Sequence, residues 1–479
     1  MRASAVAMRP PLTIPIKLAY GAGQLVEGVS STVIGTFLFF YYTAVLGLSG
    51  SLVGIAAAIS LFTDAFIDPL IGSVSDNTRS RWGRRIPFLM FGAPAVALTL
   101  GLAFSPPAHS APTVLFLWLT TASLGLRCFV SVFNVPFIAL GAELSEDYAE
   151  RSNIVAYRWV FYIFGLLATT LLGYRLFLAG PKGLLGAAGY APLAWSTAAM
   201  VLFGGAVSVF GVRRFAASLP VSAPSAVAIH KRLLPELVEI FRNPSFRVLF
   251  AVSVLFWVAQ GVANTLGLHL NTFVWKMTPP QISLTLFGYV FGLLVGVPLA
   301  PIMVRRFEKR TVLILGLVII CFVQGGLNGL RVLGIFTLTG AAVVGPLVIN
   351  AVIGGIGATF ATIAVGSMMA DAADEHDYIF GTRREGLYFS GLGFAGKAAT
   401  GLGALLAGFA LDLINFPKGV AAHPEAAIVT PGTLAGLALV AGPFVALVSA
   451  VATGLMLLYR IDRARHEEVM RVLHERRRA

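Results

Sequence analysis

Long apolar runs recur from one end of the chain to the other, broken by short polar segments in which Arg, Gly and Pro are common. A helix that crosses a bilayer needs about 20 apolar residues. The pattern therefore predicts twelve spans, near 20–46, 51–75, 87–106, 113–142, 153–176, 190–212, 246–274, 279–304, 311–330, 335–369, 385–415 and 432–460. Inside six of them, polar residues fall into stripes at helical spacing. Span one carries Tyr20, Gln24, Glu27 and Ser31; span two carries Ser60, Asp64 and Asp68. Span four carries Arg127, Ser131 and Asn134, and span five Arg158, Tyr162 and Thr169. Span seven contributes Gln260, Asn264 and Asn271, and span eleven Ser390, Lys397 and Thr400. Lipid would leave such groups unsatisfied, so the stripes predict a shared polar cavity.

Between spans six and seven the pattern lapses into FAASLPVSAPSAVAIHKRLLPELVEIFRNPSF, rich in Ala, Ser and Pro and then amphipathic. It reads as a linker, with a surface helix expected over Leu233 to Phe241. The expected organisation is an N-terminal six-helix bundle (1–213), a cytoplasmic linker (214–245), a C-terminal six-helix bundle (246–460) and a basic cytoplasmic tail (461–479). The halves echo each other faintly: GSVSDNTRSRWGRR follows span two, and GVPLAPIMVRRFEKR follows span eight. Repeated bundles with a site between them are a common transporter plan.

Composition agrees with an all-α membrane protein. Of 479 residues 57% are hydrophobic and only 12% charged, with a mean hydropathy of +0.83, whereas a soluble domain carries about 25% charged residues. A net charge of +13 would suit nucleic acid, but the basic residues sit in alternate loops and form no single patch. RSRWGRR, RRFEKR, GTRREG and the tail share one side, while the other keeps only Arg175, Lys182, Lys276, Arg331 and Lys418. The positive-inside rule then places both termini in the cytoplasm of a multi-pass plasma-membrane protein, the inner membrane in a Gram-negative cell. The partners expected are the bilayer and a small-molecule substrate, with no nucleic acid, for a chain working as a monomer. MRASAVAMRPPLTIPIK has no apolar core before a small-residue cleavage site, so no secretory signal is expected. Cys128 and Cys321 fall in different spans and read as packing residues.

Six ionisable residues lie well inside predicted spans: Glu27, Asp64, Asp68, Arg127, Arg158 and Lys397. Buried ion pairs that fix helix packing are one reading of them. Two carboxylates one turn apart are a poor packing device, because they repel in a low dielectric. They are a good site for Na⁺ or H⁺, which relieves the repulsion, and Lys397 could be the alternative partner when that cation is absent. GLGFAGK (Gly391 to Lys397) mimics a phosphate loop but lies in a predicted membrane helix and continues into Ala398. Glycines at this spacing are expected to let helices approach closely. DEHDY, around His376, lacks metal-ligand spacing and reads as a solvated loop. His269, off the polar stripe, reads as a buried histidine. No hydrolase or protease arrangement is present, so no enzyme activity, cofactor or metal beyond a coupling H⁺ or Na⁺ is expected.

Four segments carry a family resemblance. DAFIDPLIGSVSDNTRSRWGRR resembles the span-two signature of the glycoside–pentoside–hexuronide:cation symporters, the melibiose-carrier family of the major facilitator superfamily. KLAYGAGQLVEG, NVPFIALGAELSEDYAERSNIVAYR and ADAADEHDYIFGTRREGLYFSGLGFAGK resemble, in order, its first span, its span four-to-five region and its segment before span eleven. The resemblance implies the major facilitator fold and cation-coupled transport. It places Asp64, Asp68 and Ser131 at the cation site with Lys397 beside it, and Arg158 at the substrate site. The chain also departs from the melibiose pattern. Gly28 stands where a sugar-binding acid would be, with Glu27 next to it; Asn134 replaces a sugar aspartate, Ile138 a stacking tryptophan and Ile67 an amide. Galactoside recognition is therefore not implied.

These readings predict a secondary active symporter of a sugar, glycoside or hexuronide, working by alternating access. Glu27, Arg127, Asn134, Arg158 and Asn264 are the expected substrate residues. Asp76, Arg79, Arg84, Arg85, Glu143, Glu146, Asp374, Arg383 and Glu385 are expected to form cytoplasmic ion pairs that close an inner gate. A carrier of an amphipathic lipid such as a lysophospholipid, and a membrane sensor that does not transport, are the alternatives.

Overall fold

A computed structural model describes residues 12–145, 147–217, 238–382, 384–421 and 429–478. Twelve of its helices are long and apolar enough to cross a membrane. In order they are Ile14–Val45, Gly50–Asn77, Ile86–Ala103, Pro112–Leu144, Glu150–Phe177, Ala187–Ala216, Pro244–Val274, Pro279–Arg306, Lys309–Val332, Gly340–Phe380, Glu385–Leu413 and Pro431–Leu458, hereafter spans one to twelve. Among the described residues no strand occurs. The starts follow from local chemistry. Asn243 caps span seven by accepting from the amides of Ser245 and Phe246, with Pro244 as first residue. Thr278 and Gln281 form a capping box before span eight, and Asp147 accepts from Glu150 N at the head of span five. Span ten stops at Gly381, whose φ of 70° is left-handed.

Even numbers of crossings bring the termini and the loops after spans two, four, eight and ten to one end, here the termini end. The apolar core is distributed unevenly. One large cluster joins residues of spans one to six to the far-end portions of spans seven, eight, ten, eleven and twelve, including Leu266, Trp275, Leu411 and Val445. The other, from Ile240 through Phe360 to Ile461, stays entirely within the second half of the chain. The halves are therefore packed together at the far end and share no such core at the termini end.

Spans two and eleven show the same gradient. At the far end their backbones touch: a Cβ on Gly408 would lie 2.2 Å from the Gly50 carbonyl oxygen, and one on Gly403 would meet Val258 of span seven at 2.5 Å. Towards the termini end, a Cβ on Gly393 would meet nothing within 4 Å. The close approach expected of the Gly391–Lys397 run is thus made further along the helix, by Gly401, Gly403 and Gly408.

One further expectation is corrected here. The DEHDY segment is not a loop. Span ten continues through it as helix, with His376 fully buried and bonded to Glu239, Thr382 and Tyr388. Asp371, just before it, pairs with Lys309 and His466, and Asp374 within it lies 3.8 Å from His466, which helps a helix persist after its apolar run has ended. The basic tail forms a helix, Arg463–Arg478, that buries Val469 and Leu473. Of the linker helix expected over 233–241, the part before 238 lies outside the described residues, and 238–242 is helical.

Candidate functional site

Span two presents Asp64 and Asp68 one turn apart, and span eleven brings Lys397 to both. Lys397 Nζ lies 2.9 Å from Asp64 Oδ2 and pairs still more closely with Asp68 Oδ2. Ser131 Oγ, from span four, donates to Asp64 Oδ1 at 2.6 Å. All four residues expected at a cation site thus meet in one cluster that bridges the halves. Asp64, at its back, keeps 6% of its side-chain surface exposed, against 32% for Asp68 and 36% for Lys397. The oxygens that a cation would need are therefore held by an ammonium group that water can reach.

A second cluster centres on Glu27. Its Oε2 accepts from Asn134 Nδ2 at 2.9 Å and from Gln24 Nε2 at 2.5 Å. Gln24 in turn accepts from Arg158 Nε at 3.0 Å, so an amide stands between the guanidinium and the carboxylate. Arg158 also lies over the Phe137 ring at 5.6 Å, and that ring stacks on Tyr20 with centroids 4.5 Å apart. The position of the acid follows from packing. A Cβ on Gly28 would sit 2.5 Å from the Tyr162 carbonyl oxygen, so spans one and five touch there and only the neighbouring Glu27 can reach the site.

Arg127 is the unexpected member. Its Nε is buried without an acceptor, and the structure gives the guanidinium no hydrogen bond or ion pair among the described residues. Asp64 and Glu27 both lie within electrostatic range of it, yet neither is in contact. Span four runs from the far end to the termini end, which places Arg127 about one helical turn (~6 Å) deeper than Ser131, towards the sealed end. Asn264 is exposed and joins none of these hydrogen bonds.

The residues expected at an inner gate gather at the termini end. Glu143 receives Arg84 at 2.7 Å and Arg85 at 3.0 Å; Arg85 also pairs with Asp76 and donates to Ser75 Oγ at 2.6 Å. These contacts tie spans two, three and four of a single half. Asp374 lies 3.8 Å from His466 of the tail helix, within the other half. Arg79 is exposed and makes no ion pair among the described residues, Glu385 opens span eleven, and Glu146 and Arg383 lie outside the described residues.

The far end carries contacts that the sequence did not announce. Asp412 of span eleven accepts from the backbone amides of Gly50 at 3.0 Å and Ser51 at 2.9 Å, the first residues of span two. Thr43 Oγ1 and His269 Nε2, from spans one and seven, are 2.8 Å apart. The amides of Gly419 and Ala421 bond to the carbonyls of Thr43 and Ala44. All of these contacts cross between the halves. A serine before span two and an acid at the end of span eleven are the only sequence signals for the Asp412 contact.

Comparison with known proteins places this geometry. A family model described as MFS/sugar transport protein matches residues 19–463. The isoprimeverose transporter of Lactiplantibacillus pentosus is 23% identical over 416 residues, covering 86% of this chain and 82% of the relative. The glucuronide carrier protein homolog of Escherichia coli (strain K12) is 24% identical over 412 residues, covering 85% of each. The solved structure of a D-xylose–proton symporter aligns with a TM-score of 0.61 at 15% identity, over 91% of this chain and 96% of that one.

Proposed function

The chain belongs to the MFS/sugar transport family, and from that premise we propose that it is a cation-coupled symporter of a sugar or glycoside, working by alternating access. The observation that carries this reading is Lys397, which bridges Asp64 and Asp68 from the opposite half. Without a positive charge, two carboxylates one turn apart repel in a low dielectric. A cation bound to the pair competes with Lys397 for the same oxygens. Its arrival frees the lysine and cuts the link between spans two and eleven at that level, so occupancy and conformation become coupled. The substrate binds against Glu27, Arg127, Asn134 and Arg158, with Asn264 from the other half. Relatives named for isoprimeverose and glucuronide favour a sugar over a lipid.

The termini end, which bears the basic loops, is the cytoplasmic side, and the halves 1–213 and 246–460 are the moving bodies. The structure then corresponds to the state open to the cytoplasm. In the opposite state, the charged loops around Asp76, Arg79, Arg84, Arg85, Glu143, Asp374 and Glu385 close that end. The coupling ion is H⁺ in preference to Na⁺. Ile67 withholds an oxygen that a sodium shell would use, whereas a carboxylate pair needs no shell to take a proton.

Proteoliposomes test the reading. An inward proton gradient should drive uphill uptake of one of a panel of sugars and glycosides. Asp64→Asn and Asp68→Asn should abolish accumulation while passive exchange persists. Full accumulation by either variant removes the cation site; accumulation driven by Na⁺ at fixed pH, without proton movement, replaces the ion.

A further inference from the structure

We infer that Arg127 is a specificity-determining residue and that the sugar carried is a monoanion, bearing a carboxylate or sulfonate group; this inference rests on the symport reading above. In the cation cluster one lysine meets two aspartates, which leaves one negative charge unmatched. Glu27 has Arg158 as its first electrostatic neighbour, and the remaining positive charge is Arg127, which lies in electrostatic range of Asp64 first and Glu27 second but touches neither. The six charges cancel overall, yet one negative charge of the aspartate pair and the charge of Arg127 offset each other only at a distance, so that each is open to a closer partner: the first to a cation, the second to an anion.

The geometry identifies the donor. Arg158 spends its Nε on Gln24 and rests against Phe137. Glu27 is held by two amides and contacts neither arginine. Arg127 spends nothing: its Nε is buried with no acceptor. A guanidinium stays ionised when buried, so an unmatched one is costly until an anion arrives. Its planar fork suits the two oxygens of a carboxylate or sulfonate. Arg127 also lies at the sealed end of the site, where a molecule entering from the open end would arrive last. A sugar held by its hydroxyls on Asn134 and Glu27 would direct an acidic substituent there. Asn134 supplies an amide where a second acid would repel such a substrate.

Purified protein in detergent tests this by calorimetric titration with matched nitrophenyl glycosides: a glucuronide, a galacturonide and a 6-sulfo-6-deoxyglucoside, each against its neutral hexoside. The wild type should bind one acid at least tenfold more tightly than its neutral partner. Which acid wins separates carboxylate from sulfonate. Arg127→Gln should weaken that acid by about 10- to 100-fold, the range of a lost charge-assisted contact, and leave the neutral partner within twofold. Arg127→Lys should recover part of the loss. A wild type that prefers the neutral partner, or a variant that weakens acid and neutral alike, overturns the inference while leaving sugar symport standing. Binding of neither acids nor neutral glycosides overturns both readings.

Discussion

Asp412→Asn should loosen the far-end seal, and the size of the effect can be worked from the contact itself. The carboxylate accepts from two backbone amides at 3.0 and 2.9 Å. Those amides open span two, whose preceding Ser49 makes no side-chain cap. Asp412 is therefore the cap of that helix, supplied from the other half of the molecule, with its negative charge at the positive end of the helix dipole. A hydrogen bond to a charged group contributes about 1.5–3 kcal/mol, and Asn would keep one of the two acceptors while turning an NH2 donor towards the other amide. Asp412 is only partly buried, so water replaces some of what is lost, and about 1–2 kcal/mol is the reasonable figure for the variant. Under the proposed alternating-access cycle the contact exists only while the far end is closed, and that energy then acts on the equilibrium between the two states. It corresponds to a roughly 5- to 30-fold shift towards far-end opening.

Distance distributions between spin labels at Ala108 and Leu338, with Cys128 and Cys321 replaced, would measure the shift in purified protein. The comparison is Asp147→Ala, which removes a cap from span five but within one half. That variant should lower the melting temperature without moving the distances. If Asp412→Asn leaves the distribution unchanged, or if Asp147→Ala moves it equally, Asp412 does not hold the far end closed.

Lys397→Met should remove the group that competes with the ion for the two aspartates, so that proton-driven accumulation falls at least tenfold while sugar counterflow persists; undiminished accumulation would show that the lysine does not compete with the ion. Gly408→Leu should force a side chain into the Gly50 carbonyl, at a cost of about 1–3 kcal/mol to the closed far end. Gly393→Leu, placed where nothing lies within 4 Å, should melt like the wild type, and equal losses from both would refute the uneven packing of spans two and eleven.

The order and number of the spans were legible because a bilayer imposes a length and a polarity that composition alone reveals. Asp64, Asp68 and Lys397 were legible for the same reason: charge in hydrocarbon must have a partner, and these residues were the charges available. Asp412 was not. Its partners are backbone amides 361 and 362 residues earlier, and amides have no side-chain signature. The end of span ten was misread because its acids fall below any apolar threshold. They persist as helix by pairing with Lys309 and His466, which no local pattern reveals. The glycines of Gly391–Lys397 were credited with a close approach that belongs to Gly401, Gly403 and Gly408, because sequence spacing says that helices can touch but not where two halves diverge. Arg127 was visible as a charge on the right stripe. What the sequence could not show is that Gln24 and Asn134 satisfy Glu27 and so leave the arginine unmatched.

Span four explains how two such clusters could act as one device. Ser131 donates to Asp64 and Asn134 to Glu27, so a single helix touches the proposed cation cluster and the proposed substrate cluster within one turn, an axial rise of about 4.5 Å. With lateral offset, the unmatched negative and positive charges stand on the order of 8 Å apart, where an effective dielectric of 20–40 gives an interaction of roughly 1–2 kcal/mol. In the empty carrier this attraction makes each cluster a partial partner for the other. On the proposed reading, a bound cation removes the negative charge and leaves Arg127 wholly unmatched, so an anion binds more tightly by that same energy. By linkage, a bound anion must strengthen the cation equally. The mutual gain, about 5- to 30-fold, favours the doubly loaded and doubly empty carriers over the singly loaded forms that would leak the gradient. A neutral sugar would gain nothing by this route. Arg127→Gln, which removes the unmatched positive charge, should therefore lose the cation dependence of sugar binding together with the preference for the acid.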